Sequence, residues 1–295
     1  MNVLTALKEV QTVFPEKITN EFINSMPRRE LSEEERSKPY AKYYFKDMAP
    51  IPQEDLDIVN AGAIDPAKAL RIQDCARMLD EGYLDTETGF CVMPDGSGFA
   101  ATKVFMPNVT PEMIDWWFNW HPLEDLRYAI WCPVAHDAIS SSDSEGQLDS
   151  SGVPLHVRNI GKTHYPVEGF DLKGKQTVEI EFRKPEVIGI SQEQMDNSCV
   201  KAFVIGTCTS QSFHAPINVL FHSVREVPGG IEYRSRYWLK YMIQNGRPAL
   251  AKFPPLSKKQ MYYMARSNCI HSLTEYNNLA SILPQLYSEM GGRIE

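Results

Sequence analysis

The chain has 295 residues, of which 43% are hydrophobic and 11% aromatic, and its formal net charge is −8 at pH 7. This composition is typical of a folded globular protein and excludes a largely disordered chain. The acidic balance, with no basic cluster to offset it, argues against a protein that binds nucleic acid or anionic membranes.

The sequence carries no signal for export or for membrane insertion. It opens without a secretory leader, and no apolar run approaches the ~18 residues needed to cross a bilayer, so we expect a cytoplasmic protein. The six cysteines are scattered without a C-x-x-C pair, which predicts reduced thiols and no thiolate zinc site. Dinucleotide, Walker, nucleophile-elbow and H-E-x-x-H motifs are also missing from the sequence, which removes many common enzyme classes.

Residues 1–85 form a rather polar region with helical patterning. The segment 28–37 is dense in charge, and residues 66–80 carry apolar side chains at helical spacing. Asp65 before Pro66 fits a helix N-cap followed by proline at the first helical position. We predict a small, mainly helical N-terminal region that serves as a domain or as an oligomerisation arm.

From residue 86 onward the pattern changes to that of a sheet. Strands are predicted at 90–93, 99–106, 126–131, 155–160, 177–182, 200–208, 217–224 and 231–241. Val178, Ile180 and Phe182 alternate with glutamates, which is typical of an antiparallel sheet with one wet face. Turns are predicted at 94–98 and 227–230, a short helix at 111–120, and a solvated loop at 140–151 that can cover a pocket.

The segment 257–283 contains no proline or glycine and predicts one long C-terminal helix. Ser257 followed by Gln260 is a capping-box start, and Pro284 is the predicted stop. A single long helix has to bury its apolar face, and the preceding strands offer the partner. We therefore expect an α+β fold in which a curved antiparallel sheet grips this helix, with a cavity between the two layers.

His271 and Glu275 lie four residues apart near the middle of this helix, so both side chains leave the same face. Such pairs are usually ordinary contacts on a helix surface. A histidine and a carboxylate on one rigid element can also supply two ligands of a metal site. The sheet must then supply the other ligands, and the remaining histidines are the candidates: His121, His136, His156, His164, His214 and His222.

Other placements on the predicted strands bear on such a site. Tyr128 and His136 are eight residues apart, which puts them on one face of a regular strand. Glu168 ends a short sheet segment beside a glycine. His222 and Tyr237 lie on strands joined by the Pro-Gly-Gly turn and can share one wall. A tyrosine or histidine on a strand is more often a packing residue than a ligand, so these residues alone leave the question open.

The run WWFNWHPLEDLRYAIWCPVAH at residues 116–136, together with His271-x-x-x-Glu275, resembles the 2,4-diacetylphloroglucinol hydrolase and phloretin hydrolase family. The resemblance extends over residues 86–295. It implies a catalytic domain over those residues with the helix-grip fold (START-like, birch-pollen-allergen type), and an N-terminal region, 1–85, that makes contacts in a homodimer. By position, the resemblance implies Zn²⁺ held by four ligands and three substrate-contacting residues: ligands His136, Glu168, His271 and Glu275; contacts Tyr128, His222 and Tyr237.

The resemblance also implies a reaction. Family members hydrolyse the carbon–carbon bond between an acyl group and a polyhydroxylated aromatic ring, which gives a phenol and a carboxylic acid. We expect zinc to act as a Lewis acid, His222 as the base because histidine titrates near neutral pH, and Tyr128 and Tyr237 as donors to substrate oxygens. An asparagine is expected shortly after the ligand His136, but residues 137–139 are Asp, Ala and Ile. This departure favours a phloretin-like substrate.

Two other classes of function stay open at this point. A helix-grip domain can be a non-catalytic carrier of aromatic or lipidic molecules, with the His and Glu residues as polar anchors. The cavity walls would then be tryptophans: Trp116, Trp117, Trp131 and Trp238. A zinc hydrolase of esters or amides in the same pocket is the third class. A measurement of bound metal distinguishes the carrier from the two kinds of enzyme. The products formed from an aryl ketone distinguish the carbon–carbon hydrolase from the ester or amide hydrolase.

Overall fold

A computed structural model describes residues 14–143, 153, 157–169 and 175–294. One large antiparallel sheet and one long C-terminal helix dominate it, which confirms the mixed α+β class. Among the helices of these residues, none combines the length and the apolarity that crossing a bilayer requires.

The described part of the chain contains eight α-helices and eleven strands. The helices are α1 (Asn20–Asn24), α2 (Glu33–Ser37), α3 (Ala41–Tyr44), α4 (Gln53–Ala61), α5 (Pro111–Trp120), α6 (Asp125–Ala129), α7 (Gln192–Asp196) and α8 (Lys258–Met290). The strands are β1 (Gly89–Val92), β2 (Gly98–Pro107), β3 (His136–Ala138), β4 (Thr163–His164), β5 (Val167–Glu168), β6 (Gln176–Phe182), β7 (Ala202–Ser210), β8 (Ala215–Val227), β9 (Gly230–Leu239), β10 (Tyr241–Gln244) and β11 (Arg247–Leu250). Short 3-10 helices cover Pro66–Lys68, Ile72–Leu79, His121–Leu123 and Pro185–Ile188.

The large sheet has the order β1-β2-β9-β8-β7-β6-β5-β3, with β4 beside β6, and its strands pair antiparallel. Six of the predicted strands are confirmed apart from shifts at their ends: 90–93, 99–106, 177–182, 200–208, 217–224 and 231–241. The predicted turn at 227–230 joins β8 to β9. Gly229 adopts a φ of 87° there, a conformation that glycine reaches without steric cost.

Two segments predicted as strands form other structures. Residues 126–131 fold as α6 and the turn after it, because Leu126, Ala129 and Ile130 are buried at helical spacing. Of residues 155–160, the first two lie outside the described residues, and 157–160 form a short turn. In apolar runs this short, the spacing of the apolar residues does not distinguish a buried helix from a buried strand.

The helix predicted at 66–80 is instead divided into two 3-10 helices. Asp65 caps the first one as predicted, since its carboxylate accepts a backbone N–H. In the second, Ile72, Cys75 and Met78 are buried. That spacing of three residues matches the three residues per turn of a 3-10 helix and aligns the apolar side chains in one row.

Helix α8 begins where the sequence predicts. The Ser257 hydroxyl accepts a hydrogen bond from Gln260 N at 3.2 Å, and the Gln260 side chain accepts one from Ser257 N at 2.9 Å. This reciprocal capping box satisfies two N–H groups at the start of the helix. The helix therefore has a fixed start, and the positions along it are fixed relative to the sheet.

The predicted stop of α8 at Pro284 is wrong. The helix continues through the proline to Met290 and ends at Gly291, which has a left-handed φ of 61°. A proline inside a helix costs roughly 3 kcal/mol, because it removes a hydrogen bond and crowds the preceding turn. Burial of Leu283 and Leu286 on either side of it offsets that cost.

The N-terminal segment packs against α8. Phe14 and Ile18 belong to the same hydrophobic core as the buried side of α8. Asn278 of α8 accepts a hydrogen bond from Ala49 N at 3.1 Å and donates one to Trp131 O at 2.9 Å. Helix α8 is therefore held both by the sheet and by the N-terminal segment, while the predicted domain boundary at residue 86 stays a prediction.

Candidate metal centre

The side chains of His271 and Glu275 leave the middle of α8 and line a cavity between the helix and the sheet, of about 710 Å³ including its mouth. His271 Nε2 lies 3.8 Å from Glu275 Oε2. Glu275 is only 8% exposed, so this is not a pair on a solvated helix surface. The one-turn spacing places both groups on the cavity side, as predicted.

His136 enters the same cavity from β3. Its N–H donates to Cys132 O at 2.8 Å in the turn that precedes the strand, and its ring stacks on Tyr128 with centroids 4.1 Å apart. Tyr128 reaches this position from α6, so the predicted neighbours are confirmed although the predicted strand between them is wrong. His136 Nε2 lies 3.1 Å from His271 Nε2 and 3.5 Å from Glu275 Oε2.

Glu168 is positioned by sheet pairing, because it lies opposite His136 in the ladder between β5 and β3. Its Oε2 is 3.7 Å from His136 Nε2 and accepts a hydrogen bond from the Tyr128 hydroxyl. The donor atoms of His136, His271 and Glu275 lie within 4.8 Å of one another. The structure thus brings three of the predicted ligands together as a possible metal-binding triad, and places Glu168, the fourth, next to His136.

The electrostatics of these four groups fit a divalent cation. Burial, reinforced by Glu168, raises the pKa of Glu275 well above its usual value. Burial lowers the pKa of His136 and of His271, so both rings stay neutral near pH 7. Two neutral imidazoles and two neighbouring carboxylates form the nitrogen and oxygen donor set that zinc prefers. A cation among them would offset the repulsion between the carboxylates.

Two of the three predicted substrate contacts lie on the opposite wall, whereas Tyr128 lies at the metal centre. His222 on β8 and Tyr237 on β9 have ring centroids 5.4 Å apart and both line the cavity. The Tyr237 hydroxyl donates to Ser272 Oγ at 3.1 Å. His222 Nδ1 lies 2.8 Å from Ser235 Oγ, and its Nε2 lies 3.4 Å from the Tyr276 hydroxyl. These bonds hold both side chains in fixed orientations.

One expectation about His222 is contradicted by its surroundings. Histidine ordinarily titrates near neutral pH, but burial lowers the pKa of His222 to about 3. The ring is therefore neutral over the physiological range, with one nitrogen able to accept a proton. Negative charge that develops beside it during a reaction would raise that pKa.

Several cavity residues were not found from the sequence. Ser272 and Tyr276 directly follow the predicted ligands His271 and Glu275 on α8, and Tyr276 also accepts a hydrogen bond from Tyr233. Their positions next to the ligand pair were the available signal. Asn268 lies three residues before His271, and helical spacing places it on or near the face of the ligand pair, whereas Asn218 carried no signal because its place depends on strand register.

The residues after His136 do not supply the amide that the resemblance suggested. Asp137 pairs with Lys175, whereas Ile139 lines the cavity. Of the four tryptophans expected as carrier walls, Trp131 is the one found among the cavity-lining residues. Trp238 instead donates to Leu70 O at 2.8 Å, and Trp116 and Trp117 pack with Trp120: Trp116 stacks on it at 4.9 Å between ring centroids.

Acidification is expected to destabilise the fold through its buried histidines. His121 and His222 have pKa values of about 3 in the folded chain, against about 6.5 in an unfolded one. The unfolded chain therefore gains protons below about pH 6.5 that the folded chain does not, so stability falls as the pH drops from 6.5 towards 3. Urea unfolding at pH 7.5 and 5.0 measures this fall.

The contribution of a single histidine is isolated by substitution. We expect His121→Gln to reduce the loss of stability between these two pH values by about 2 kcal/mol, whereas the matched substitution of the exposed His214 to Gln leaves it unchanged. An equal loss in the wild type and in His121→Gln would show that His121 is not held neutral by the fold.

Comparison with known proteins gives a family for this arrangement. Residues 70–288 match the family model described as "DAPG hydrolase PhiG domain". The chain is 28% identical over 272 residues to 2,4-diacetylphloroglucinol hydrolase of a Pseudomonas species, covering 87% of this chain and 90% of the relative. It is 30% identical over 267 residues to phloretin hydrolase of Eubacterium ramulus, covering 87% and 92%.

A similar solved structure, protein Ms6760 from Mycobacterium smegmatis, has a TM-score of 0.34 and 11% identity, with 68% of this chain and 95% of that chain covered. That likeness is too low to carry an argument about the fold. The family match covers most of the chain and includes His136, Glu168, His271 and Glu275. We conclude that the chain belongs to the DAPG hydrolase family and is a hydrolase.

Proposed function

We propose that the protein is a zinc-dependent hydrolase that cleaves the carbon–carbon bond between an acyl group and a polyhydroxylated aromatic ring. The observation that carries this proposal is the cluster of His136, His271 and Glu275, with Glu168 beside His136, in a largely buried cavity. Relatives named for hydrolysis of 2,4-diacetylphloroglucinol and of phloretin support the substrate class. The products are a phenol and a carboxylic acid.

The reaction balances without an oxidant or a second substrate. A ring hydroxyl beside the acyl group tautomerises to a ketone, and the ring carbon that bears the acyl group gains a proton. Water then adds to the acyl carbonyl. The carbon–carbon bond breaks with its electron pair passing to the ring, which becomes aromatic again once the ring ketone is a phenol. The acyl part leaves as a carboxylic acid.

Zinc would be held by two imidazoles and two carboxylates and would supply Lewis acidity to a substrate oxygen or to the attacking water. Because the two carboxylates lower the net charge of the site, a separate protein base is needed to take a proton from water. His222 is neutral and lines the cavity, so its ring can accept that proton as negative charge builds up on the substrate.

Two tyrosines are suited to donate hydrogen bonds to substrate oxygens. Burial raises the pKa of Tyr128 and of Tyr237 well above 10, and carboxylates in the cavity add to the shift. Both phenols therefore stay protonated. Tyr128 lies beside Glu168 at the metal centre, and Tyr237 lies opposite Leu220, two residues along β8 from His222. They can stabilise an oxyanion or a phenolic oxygen at these two points.

A phloretin-like substrate is favoured over a short acetyl ketone. A second cavity of about 460 Å³ adjoins the first and shares Phe118, Phe182, Val204 and His222 with it. An aryl-alkanoyl chain is long enough to pass from the metal centre towards this space. We also propose a cytoplasmic location, together with the helix-grip architecture and a homodimer with contacts from residues 1–85, and the family resemblance supports the last two.

The experiment that tests the function combines metal analysis with product analysis. Wild-type protein prepared with zinc is expected to hold close to one ion per chain and to convert phloretin to phloroglucinol and 3-(4-hydroxyphenyl)propionic acid. Protein treated with a chelator should be inactive, and adding zinc back should restore activity. Absence of bound metal would contradict the proposal and favour a carrier. Hydrolysis of esters but not of phloretin would favour the ester or amide hydrolase.

A further inference from the structure

The cavity has a defined order of polar residues along its length. Tyr237 of β9 lies opposite Leu220 of β8 in the ladder, and its hydroxyl bonds to Ser272 of α8. His222, two residues further along β8, lies beside Tyr276, four residues further along α8. Strand β8 and helix α8 therefore run in the same direction along the cavity.

The same steps taken in the opposite direction, two residues back along β8 from Leu220 and four back along α8 from Ser272, lead to Asn218 and Asn268. These two asparagines therefore lie at the same level of the cavity. Four strand residues from Asn218 to His222 span ~13 Å, and eight helix residues from Asn268 to Tyr276 span ~12 Å. Both asparagines line the cavity. They consequently mark the end of the cavity that lies away from His222, beyond the level of Tyr237.

Both asparagines have an unsatisfied amide oxygen. Asn218 Oδ1 and Asn268 Oδ1 are buried and have no hydrogen-bond partner among the described residues. Asn218 is 4% exposed, and its neighbours across the ladders are Cys208 and Leu239. A buried acceptor left without a donor destabilises the folded chain, because it has lost its hydrogen bonds to water and gained none in return. Apolar residues in these places would avoid that cost, so the amides point to a ligand that brings its own donors.

A third unpartnered group has the opposite polarity and lies elsewhere in the cavity. The indole N–H of Trp131 is buried without a partner among the described residues. Trp131 packs edge-on against His136, with ring centroids 5.1 Å apart, and so lies at the metal centre. The cavity therefore offers free acceptors at one end and a free donor beside the proposed ligands.

We propose that the amide oxygens of Asn218 and Asn268 form a subsite that accepts the hydrogen bond of the substrate-ring hydroxyl that lies opposite the acyl group. This inference rests on the proposed function and adds the direction of binding. The ring points towards the asparagines, the acyl carbonyl lies at the metal centre near the Trp131 N–H, and the acyl chain runs past His222. Phenolic hydroxyls are donors, which matches the free acceptors, and a carbonyl is an acceptor, which matches the free donor.

The subsite is tested with two ketones that differ by one hydroxyl. The 2,4,6-trihydroxyphenyl ketone of phloretin is compared with its 2,6-dihydroxyphenyl analogue, which lacks the hydroxyl opposite the acyl group. We expect the wild-type enzyme to prefer the trihydroxy ketone by at least about 100-fold in kcat/KM, because the analogue leaves buried acceptors unpaired. In Asn218→Leu/Asn268→Leu this preference should shrink to within about threefold.

A matched control and a stability measurement separate binding from structure. Asn277→Leu changes the same residue type on α8, where its amide bonds to Leu273 O outside the cavity, and should retain the preference. The double variant should be at least as stable to heat as the wild type, because it removes unsatisfied groups. If leucine does not fit, Asn218→Ala and Asn268→Ala serve instead. A preserved 100-fold preference in the folded cavity variants would overturn the subsite.

Calorimetry with phloroglucinol keeps this test independent of turnover. We expect phloroglucinol to bind the wild-type protein at least about tenfold more tightly than the double variant, with Asn277→Leu resembling the wild type. If neither ketone is hydrolysed, the proposed function fails, and this binding difference still decides the subsite. If both ketones are hydrolysed with equal efficiency by the wild type, or phloroglucinol binding is unchanged in the double variant, the subsite is wrong and the hydrolase is retained.

Discussion

Replacing His271 with alanine is expected to remove bound zinc and to lower turnover of phloretin by at least about 10³-fold. The substitution deletes one of two nitrogen donors, whose ring nitrogen lies 3.1 Å from that of His136. The helix itself should persist, because alanine is a strong helix former and α8 is fixed by its cap and its core. Zinc per chain, circular dichroism and turnover are measured on the same preparation.

Two further variants make this result specific. Glu275→Ala should behave like His271→Ala, because its carboxylate lies 3.5 Å from His136 Nε2. His214→Ala removes an exposed histidine away from the cavity and should leave zinc content and turnover unchanged. Full zinc occupancy in both His271→Ala and Glu275→Ala, with the fold intact, would show that the metal centre is assigned to the wrong residues.

His222→Ala should separate proton transfer from metal binding. We expect turnover to fall by about 10²–10⁴, the usual contribution of a positioned general base, while zinc stays bound. His222 lies on β8, on the wall opposite the ligands. Its ring nitrogens are held by the hydroxyls of Ser235 and Tyr276, and neither residue is a proposed ligand. Steady-state kinetics with elemental analysis of the same sample checks both parts.

The nature of the loss identifies the role of His222. If the ring acts as a base, added imidazole should restore part of the activity, because the vacated space beside Ser235 can admit it, and KM should change less than kcat. Loss of zinc in His222→Ala would mean that His222 supports the metal centre. An unchanged kcat would remove it from the mechanism.

The sequence predicted the long helix and the ligand pair because both are local features. The capping box at Ser257 and the four-residue spacing of His271 and Glu275 depend only on helix geometry. The hairpin from β8 to β9 was likewise set by its Pro-Gly-Gly turn. These parts of the fold follow from short stretches of chain whose physics does not depend on distant contacts.

The errors arose where tertiary packing overrides local preference. Residues 126–131 have the apolar and aromatic character of a strand but fold into α6, where Leu126, Ala129 and Ile130 pack into the core, and a run this short has no period that distinguishes a buried helix from a buried strand. Pro284 ends a helix in isolation, yet the core around Leu283 and Leu286 extends it. The low pKa of His222 and the unpaired amides of Asn218 and Asn268 also depend on the assembled cavity, so no single stretch of sequence reveals them.

The support of α8 on two sides has a consequence for how this protein can change. Two of the four proposed ligands sit on a helix that is fixed by the sheet and by Asn278, which connects it to Ala49 and Trp131. Mutations that reshape the metal centre through α8 must therefore disturb the whole core. The end of the cavity at Asn218 is also lined by β8, which carries none of the four proposed ligands. New substrates are consequently easier to evolve or engineer at that end, while the chemistry at the metal centre stays the same.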